Sequence, residues 1–581
     1  MRASTFVPVV LSSSLVFAYI PCPLLGPVFP APTELSQSTT FQDALGNLSS
    51  ILDNVTTTGL TPYGAIPSNA TSFSIGIFDA KSPGGLYSYQ YSSPALQQGT
   101  EGVKQVTKDS VYRIGSGSKL ITIYLFLLEV GWKYWNHPIT DFVAELKPAA
   151  RNCSASSNAL DCMDWDEITL GALASHMAGI PRDYSTPAEL LVAGLPMPVE
   201  VYGLPPVPES DFPICGDTYT DACLKNPYLQ GLTAEHPVYS PFTSPVYSNG
   251  AYELLMFAFE NITGKSFETT LETKLFDKLN MTKSSYNVPT NISDAVLPRG
   301  PELSGFVAEL GNEIPVGGYY SSQSDLTRMG QSILSASLLS PNTIKQWMKP
   351  VTFTSNPNSA IGRPWEIFRV PELTSHNFDL YTKLGNVFSY ASMLVLAPDY
   401  DSILVAGNSS TATAQHLTDT IIPNLFPALE QTARAQAHDK FAGTYESTTE
   451  GVASNITLTT QAGQPGLVIE SWYSNSTNFQ VAIAGVEGVQ APATLDARMY
   501  PSGLSQQTSA TCQRVGFRGI FESTATPAEA GFVGAECSSW GAVDQPRYGN
   551  VGVDEFEFKV EDGEVVSVTP RALRITLKKI A

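Results

Sequence analysis

Basic residues are scarce in this chain. Its 581 residues include 33 Lys and Arg against 54 Asp and Glu, a formal net charge of −21, and the basic side chains form no run. Phosphate binding needs a positive face, so the expectation is of no nucleic-acid partner and no membrane partner. Histidine is rarer still, with six scattered residues, and no Cys-x-x-Cys or His-x-x-x-His spacing suggests a metal. No apolar stretch beyond the N-terminus is long enough to span a bilayer. The last residues, "LRITLKKIA", are neither a retention signal nor a lipid-anchor tail. There is no internal repeat, no low-complexity tract and no Gly-x-Ser-x-Gly elbow. What remains is the composition of a globular protein, 43% hydrophobic and 15% charged, too long for one core.

The N-terminus reads "MRASTFVPVVLSSSLVFAYIPCPLLGPVFPAP". Arg2, the apolar stretch Phe6 to Phe17 and then Ala18 have the form of a secretory leader, residues 1–18, with a second cleavage position near Ala31. Pro8 and three serines interrupt a stretch too short to anchor the chain in a membrane. Secretion also fits the glycosylation sequons at Asn47, Asn54, Asn69, Asn152, Asn261, Asn280, Asn291, Asn408, Asn455 and Asn475, each expected on an exposed loop. By proximity the cysteines pair as Cys153–Cys162, Cys215–Cys223 and Cys512–Cys537. Cys22 is the odd one, a candidate to leave with the leader.

Along the chain, "SFSIGIFDA" and "GLYSYQYSS" read as strands around the turn "KSPGG". A helical run follows from Ser116 to Glu129, then short helices and long loops over 150–245, and a helix at 250–260. "LYTKLGNVFSYASMLVLAP" and "DSILVAGNS" read as antiparallel strands turning at "PDYD". Strands at both ends with helices between them predict one α/β (α+β) unit over residues 19–437. A last helix at about 423–437 gives way to short strands at regular spacing, which predict a separate all-β sandwich or barrel over 438–581.

The chemistry starts with "VYRIGSGSKLITIYLFLLEVG". Three residues are about one helical turn, so Ser116 and Lys119 share a face. A lysine held among apolar side chains loses hydration, and its neutral amine can take the proton of a serine hydroxyl. Alone, the pair is equally a capped helix start with an outward lysine. Two further motifs, in order, change that reading: Tyr247-Ser248-Asn249 in "PFTSPVYSNGAYELL" and Lys383-Leu384-Gly385 in "YTKLGNVFSY". Ser-x-x-Lys, Tyr-x-Asn and Lys-x-Gly together resemble the serine β-lactamase and penicillin-binding superfamily, in its class C form. The flanking "ITLGALASHMAGIPRDY" and "VGGYYSSQSDLTRMG" add to the likeness, and the β-rich C-terminal part resembles secreted fungal β-lactamase-like proteins.

The resemblance implies a β-lactamase/transpeptidase-like fold, an antiparallel sheet with a helical subdomain, and a cofactor-free serine hydrolase acting on a small ester or amide. Ser116 would be the nucleophile, Lys119 its activating partner and Tyr247 a proton relay. Asn249 would bond a substrate amide or hold Lys119. Lys383 would favour ionised Tyr247 and attract an anionic group, Gly385 would let substrate approach the strand, and Asn386 with Ser116 would supply oxyanion N–H groups. His176 is expected to be structural, bonded to nearby backbone. Where the superfamily has Thr or Ser, strand alternation lets Leu384 face either the core or the site; if the family geometry holds, the site loses a hydroxyl donor, which predicts a preference for uncharged esters. An acyltransferase using the same triad and an inactive secreted binding protein are the rival readings. The oligomeric state is not legible.

Overall fold

β-Branched and aromatic residues in alternation build the front of the first sheet, β1 (Phe73–Asp79) and β2 (Tyr87–Tyr91). Its remaining strands are β3 (Thr352–Phe353), β4 (Ser359–Ile361), β5 (Glu366–Val370), β6 (Phe378–Val387), β7 (Tyr390–Ala397) and β8 (Ser402–Asn408). All eight pair antiparallel in the order β2-β1-β8-β7-β6-β5-β4-β3, so chain segments far apart in sequence become central neighbours. The computed structural model describes residues 19 and 21–580, apart from 84, 153–154, 186–189, 191–198, 217–222, 401, 409, 487–493 and 525–536.

Helices cover both faces, which explains why β7 is buried along its whole length rather than on alternate residues. On one face Met393, Val395 and Ala397 pack with α1 (Thr39–Thr58) and with Leu417, Ile421 and Leu425 of a C-terminal helix. On the other, Leu394 and Leu396 meet α2 (Ser118–Glu129), α3 (Gly250–Thr263) and α4 (Gln323–Leu334). Each fully buried Leu or Ile contributes roughly 1.5–3 kcal/mol relative to exposure.

Two element boundaries differ from expectation. The segment read as a single strand before "PDYD" is two, β6 and β7, joined at Phe388–Ser389. Phe388 carries a positive φ of 52°, and no Gly or Asn marks the turn. The helix expected at 423–437 is α5 (Thr411–Phe441), which runs through Pro423 and Pro427. Each proline removes one backbone donor, but burial of the helix against the sheet keeps it continuous.

The chain separates into two compact units, Ala31–Thr432 and Ala433–Ala581 together with the N-terminal segment through Pro30. The division falls inside α5, five residues or so before the expected 438, and residues 19–30 fall outside the unit expected to contain them. In the second unit β9 (Gly443–Ser447), β10 (Asn455–Thr460), β11 (Leu467–Ser474), β12 (Leu495–Gln507), β13 (Cys512–Ser523), β14 (Glu555–Glu561), β15 (Glu564–Pro570) and β16 (Leu577–Lys579) form an eight-stranded barrel. The β10–β11 pairing closes it, which removes the free edges of an open sheet. Ile456, Trp472, Met499, Phe517, Phe556 and Phe558 fill it.

The same core takes Val28 and Phe29 from the N-terminal segment. Cys22 is bonded to Cys537, and Cys512 is free, so the Cys512–Cys537 pairing expected from proximity is corrected. Sequence distance misled because the barrel's interior recruits a segment from the opposite end of the chain. Cys215–Cys223 forms as expected. Cys162 is disulfide-bonded, while Cys153 lies outside the described residues. Among the sequons Asn47, Asn54, Asn69, Asn261, Asn280, Asn291 and Asn475 are exposed, but Asn47 and Asn54 lie on α1 and Asn261 on α3 rather than on loops, and Asn455, only part-exposed, begins β10. No described helix is long and apolar enough to cross a membrane.

Candidate active site

Ser116 stands in a 3₁₀ turn, Gly115–Gly117, between the short strand Val111–Arg113 and α2. Gly115 adopts φ +52°, and a Cβ there would collide with the Asn386 backbone. On the strand side a Cβ at Gly385 would collide with the Ile114 carbonyl and the Gly117 nitrogen. The space that Gly385 leaves is therefore taken by the protein's own turn, where a substrate backbone had been expected. Ser392 Oγ of β7 donates to the Ile114 carbonyl at 2.7 Å and ties the turn to the sheet.

Lys119, on the first turn of α2, is fully buried. Its Nζ lies 3.1 Å from Ser116 Oγ, and it donates to Asn249 Oδ1 at 2.7 Å and to the Val316 carbonyl at 2.9 Å. Those two acceptors use two N–H bonds, so a neutral amine turns its lone pair toward Ser116. Tyr247 donates its phenol to the same Ser116 Oγ at 2.7 Å. Ser118, next along the helix, faces away and accepts from the Tyr319 N–H at 3.1 Å.

The electrostatics follow from burial among cations. Burial lowers the Lys119 pKa and the Lys383 charge lowers it further, against an opposing effect of Tyr247. Burial pushes the Tyr247 phenol up, but Lys119 and Lys383 outweigh it and leave its pKa below the ordinary tyrosine value. The Lys119 and Lys383 ammonium nitrogens stand 5.0 Å and 5.5 Å from the Tyr247 ring centre, with the Arg182 guanidinium at 4.8 Å. Lys383 is itself buried, which disfavours its cation; the Glu366 carboxylate and Tyr247 overcome that, so its pKa is raised.

The structure brings Ser116, Lys119, Tyr247, Asn249 and Lys383 together. Asn249 does not cap α3; its Oδ1 holds Lys119, and its Nδ2 donates to Asp183 Oδ1 at 2.6 Å. Asn386, exposed beyond Gly385, presents its backbone to the turn and donates from Nδ2 to the Tyr390 carbonyl at 3.3 Å. His176 accepts from the Ser248 N–H through Nδ1 at 3.1 Å and stacks on Tyr247 with ring centres 4.5 Å apart. Burial, then Lys119 and Lys383, hold its pKa well below normal, so it stays neutral.

Of the two orientations open to it, Leu384 takes the core-facing one. It packs with Leu380 and Met393 on the α1 face of the sheet, because neighbours along a strand point to opposite faces and Lys383 takes the Tyr247 side. Two participants were not singled out from sequence. Asp183 buttresses Asn249, and Glu366 on β5 pairs with Lys383. Asp183 sits in the "AGIPRDY" stretch, but nothing in its spacing points to Asn249, and only the β5–β6 register brings Glu366 beside Lys383. Among the described residues no group of three His, Cys, Asp or Glu side chains could hold a metal ion.

The beta-lactamase family model matches residues 86–414, and one described as "Beta-lactamase-like-like, C-terminal domain" matches residues 433–581. A beta-lactamase-like protein of Arthroderma benhamiae is 31% identical over 592 residues, covering 95% of each chain. A probable hydrolase of Cochliobolus lunatus is 24% identical, covering 68% of this chain and 66% of its own. Among solved structures, the D-amino acid amidase of Ochrobactrum anthropi complexed with L-phenylalanine is similar at 16% identity and a TM-score of 0.46, over 68% of this chain and 99% of that one. Motif order, the two family models and the 31% identity over 95% of the chain agree: the chain belongs to the beta-lactamase family, and its barrel is the C-terminal domain that accompanies it in beta-lactamase-like proteins.

Proposed function

We propose that this family member is a serine hydrolase that cleaves a small ester or amide through an acyl-Ser116 intermediate. The observation that carries the reading is the position of Ser116 Oγ, 3.1 Å from a buried Lys119 amine and 2.7 Å from the Tyr247 phenol. Ser116 Oγ attacks the substrate carbonyl carbon, and its proton passes to Lys119 or to ionised Tyr247. The acyl C–O or C–N bond then breaks, and the proton goes to the departing alcohol or amine. Water, deprotonated by the same pair, attacks the acyl-enzyme and releases the acid. The N–H groups of Ser116 and Asn386, on the turn and the strand that Gly115 and Gly385 allow to meet, are the candidate oxyanion donors. Asn249, held between Lys119 and Asp183, positions the amine.

Labelling with a fluorophosphonate probe and mapping the adduct tests this. Label is expected on Ser116 alone, and Ser116→Ala should abolish label and hydrolysis while leaving the melting temperature nearly unchanged. Label persisting on Ser118 or Ser248 in that variant would sink the assignment.

The reading includes secretion, supported by the leader, the disulfides and the exposed sequons. Cleavage after Ala18 fits it better than cleavage near Ala31, which would strip Val28 and Phe29 from the barrel core and Cys22 from its disulfide.

A further inference from the structure

Lys383 was expected to meet an anionic group of the substrate, but it already meets one of the protein's own. Glu366 begins β5, opposite Thr382 of β6. One of its carboxylate oxygens bonds Lys383 Nζ, and the other accepts from the Leu384 N–H at 2.9 Å. Lys383 Nζ spends a second donor on the Leu384 carbonyl at 2.8 Å. Its side chain is 1% exposed, whereas that of Glu366 is 26% exposed. The charge that faces outward here is therefore the carboxylate, with the ammonium behind it. Arg182, a third cation beside Tyr247, has its Nε 3.4 Å from Asp183 Oδ2 while its side chain is 59% exposed, so it lies toward solvent with a buried counter-charge beside it.

Resting on the serine-hydrolase reading, we infer that Glu366 is a specificity-determining residue: by occupying Lys383 and the Leu384 N–H, it turns the site against carboxylate-bearing substrates and selects uncharged ones. A substrate carboxylate brought to this place finds Lys383 Nζ and the Leu384 N–H already bonded to Glu366. To reach Lys383 it must either displace Glu366 or sit beside a like charge, and both are unfavourable. The selection comes from β5, not from the side chain of Leu384, which lies on the other face of the sheet.

The test uses the full-length protein and two matched probe pairs. One pair is 4-carboxyphenyl butanoate and its methyl ester, differing in charge on the leaving group. The other is 3-carboxyphenylboronic acid and phenylboronic acid, differing in charge on the acyl side and readable by binding alone. In the wild type the carboxylate member of at least one pair should be disfavoured about tenfold or more, in kcat/KM or Kd, as expected for a lost charge-assisted bond. Glu366→Gln, nearly isosteric, should shrink that gap at least fivefold by leaving Lys383 without its counter-charge. Equal treatment of both members of both pairs by the wild type overturns the inference, and this comparison needs no variant to fold. A gap that persists unchanged in a folded Glu366→Gln protein overturns it as well. Fluorophosphonate labelling runs alongside: label on Ser116 without charge discrimination removes the role of Glu366 alone, whereas no label on Ser116 removes the hydrolase reading and this inference with it.

Discussion

Tyr247 lies against Ser116, Lys119, Lys383, Arg182 and His176, and its behaviour decides how the site responds to pH. Either Tyr247 or Lys119 has to be without its proton to receive the one from Ser116, so activity should fall as pH drops. Both pKa values are lowered, which carries the active range toward neutrality. Lys383 contributes to lowering both. Lys383→Met should therefore let both rise, move the acid limb of the kcat/KM profile to higher pH, and reduce activity near pH 7 more than at pH 9. A profile that only scales down, without moving, would show that Lys383 acts through packing instead. Tyr247→Phe removes the phenol while keeping the ring on His176, and should lower kcat/KM by about 10²–10⁴-fold with little change in melting temperature. Ser116, Lys119, Tyr247, Asn249 and Lys383 were legible because each belongs to a short motif in a set order. Asp183 and Glu366 were not, because a carboxylate recruited by contact leaves no spacing to read.

At the scale of elements, the site depends on how closely the Gly115–Gly117 turn approaches β6. Both sides give up a side chain to allow it, Gly115 on the turn and Gly385 on the strand. Gly385→Ala would drive a methyl into the Ile114 carbonyl and push the turn off the sheet. The expected cost is about 1–3 kcal/mol of stability, with a loss of turnover larger than the loss of fold, checked by thermal unfolding beside kcat. Unchanged activity in that variant would mean the turn tolerates displacement. Helix α2 and strands β1, β2, β7 and β8 were visible as periodic apolar runs. The β6–β7 turn was not, since Phe388 takes a left-handed conformation that its residue type does not advertise. Nor was the length of α5, where packing prevails over two prolines.

For the whole molecule, the unexpected covalent link is Cys22–Cys537, which joins residues separated by 515 positions. Non-reducing peptide mapping should recover Cys22–Cys537 and Cys215–Cys223, with Cys512 alkylated as a free thiol. A Cys512–Cys537 peptide would contradict it. On the proposed cleavage after Ala18, N-terminal sequencing of the mature protein should begin near Tyr19, whose phenol donates to Glu522 at 2.8 Å within the barrel unit. Cys22→Ser should weaken the barrel by about 2–4 kcal/mol, seen as an earlier unfolding transition, while fluorophosphonate labelling of Ser116 at 25 °C persists.

The sequence alone determined the family, the mixed fold with a β-rich module after it, and the residues that meet at Ser116. Those features are local, carried by a helical turn, a tripeptide or a hydrophobic period, and local patterns survive in one dimension. Tertiary structure alone decided that Val28 and Phe29 of the N-terminal segment pack into the barrel core, that Leu384 faces the helices behind the sheet, and that Glu366 pairs with Lys383. Each of these is a contact between segments whose separation is set by strand order and register, and free energy of burial and charge pairing depends on what is near in space, whatever its place along the chain.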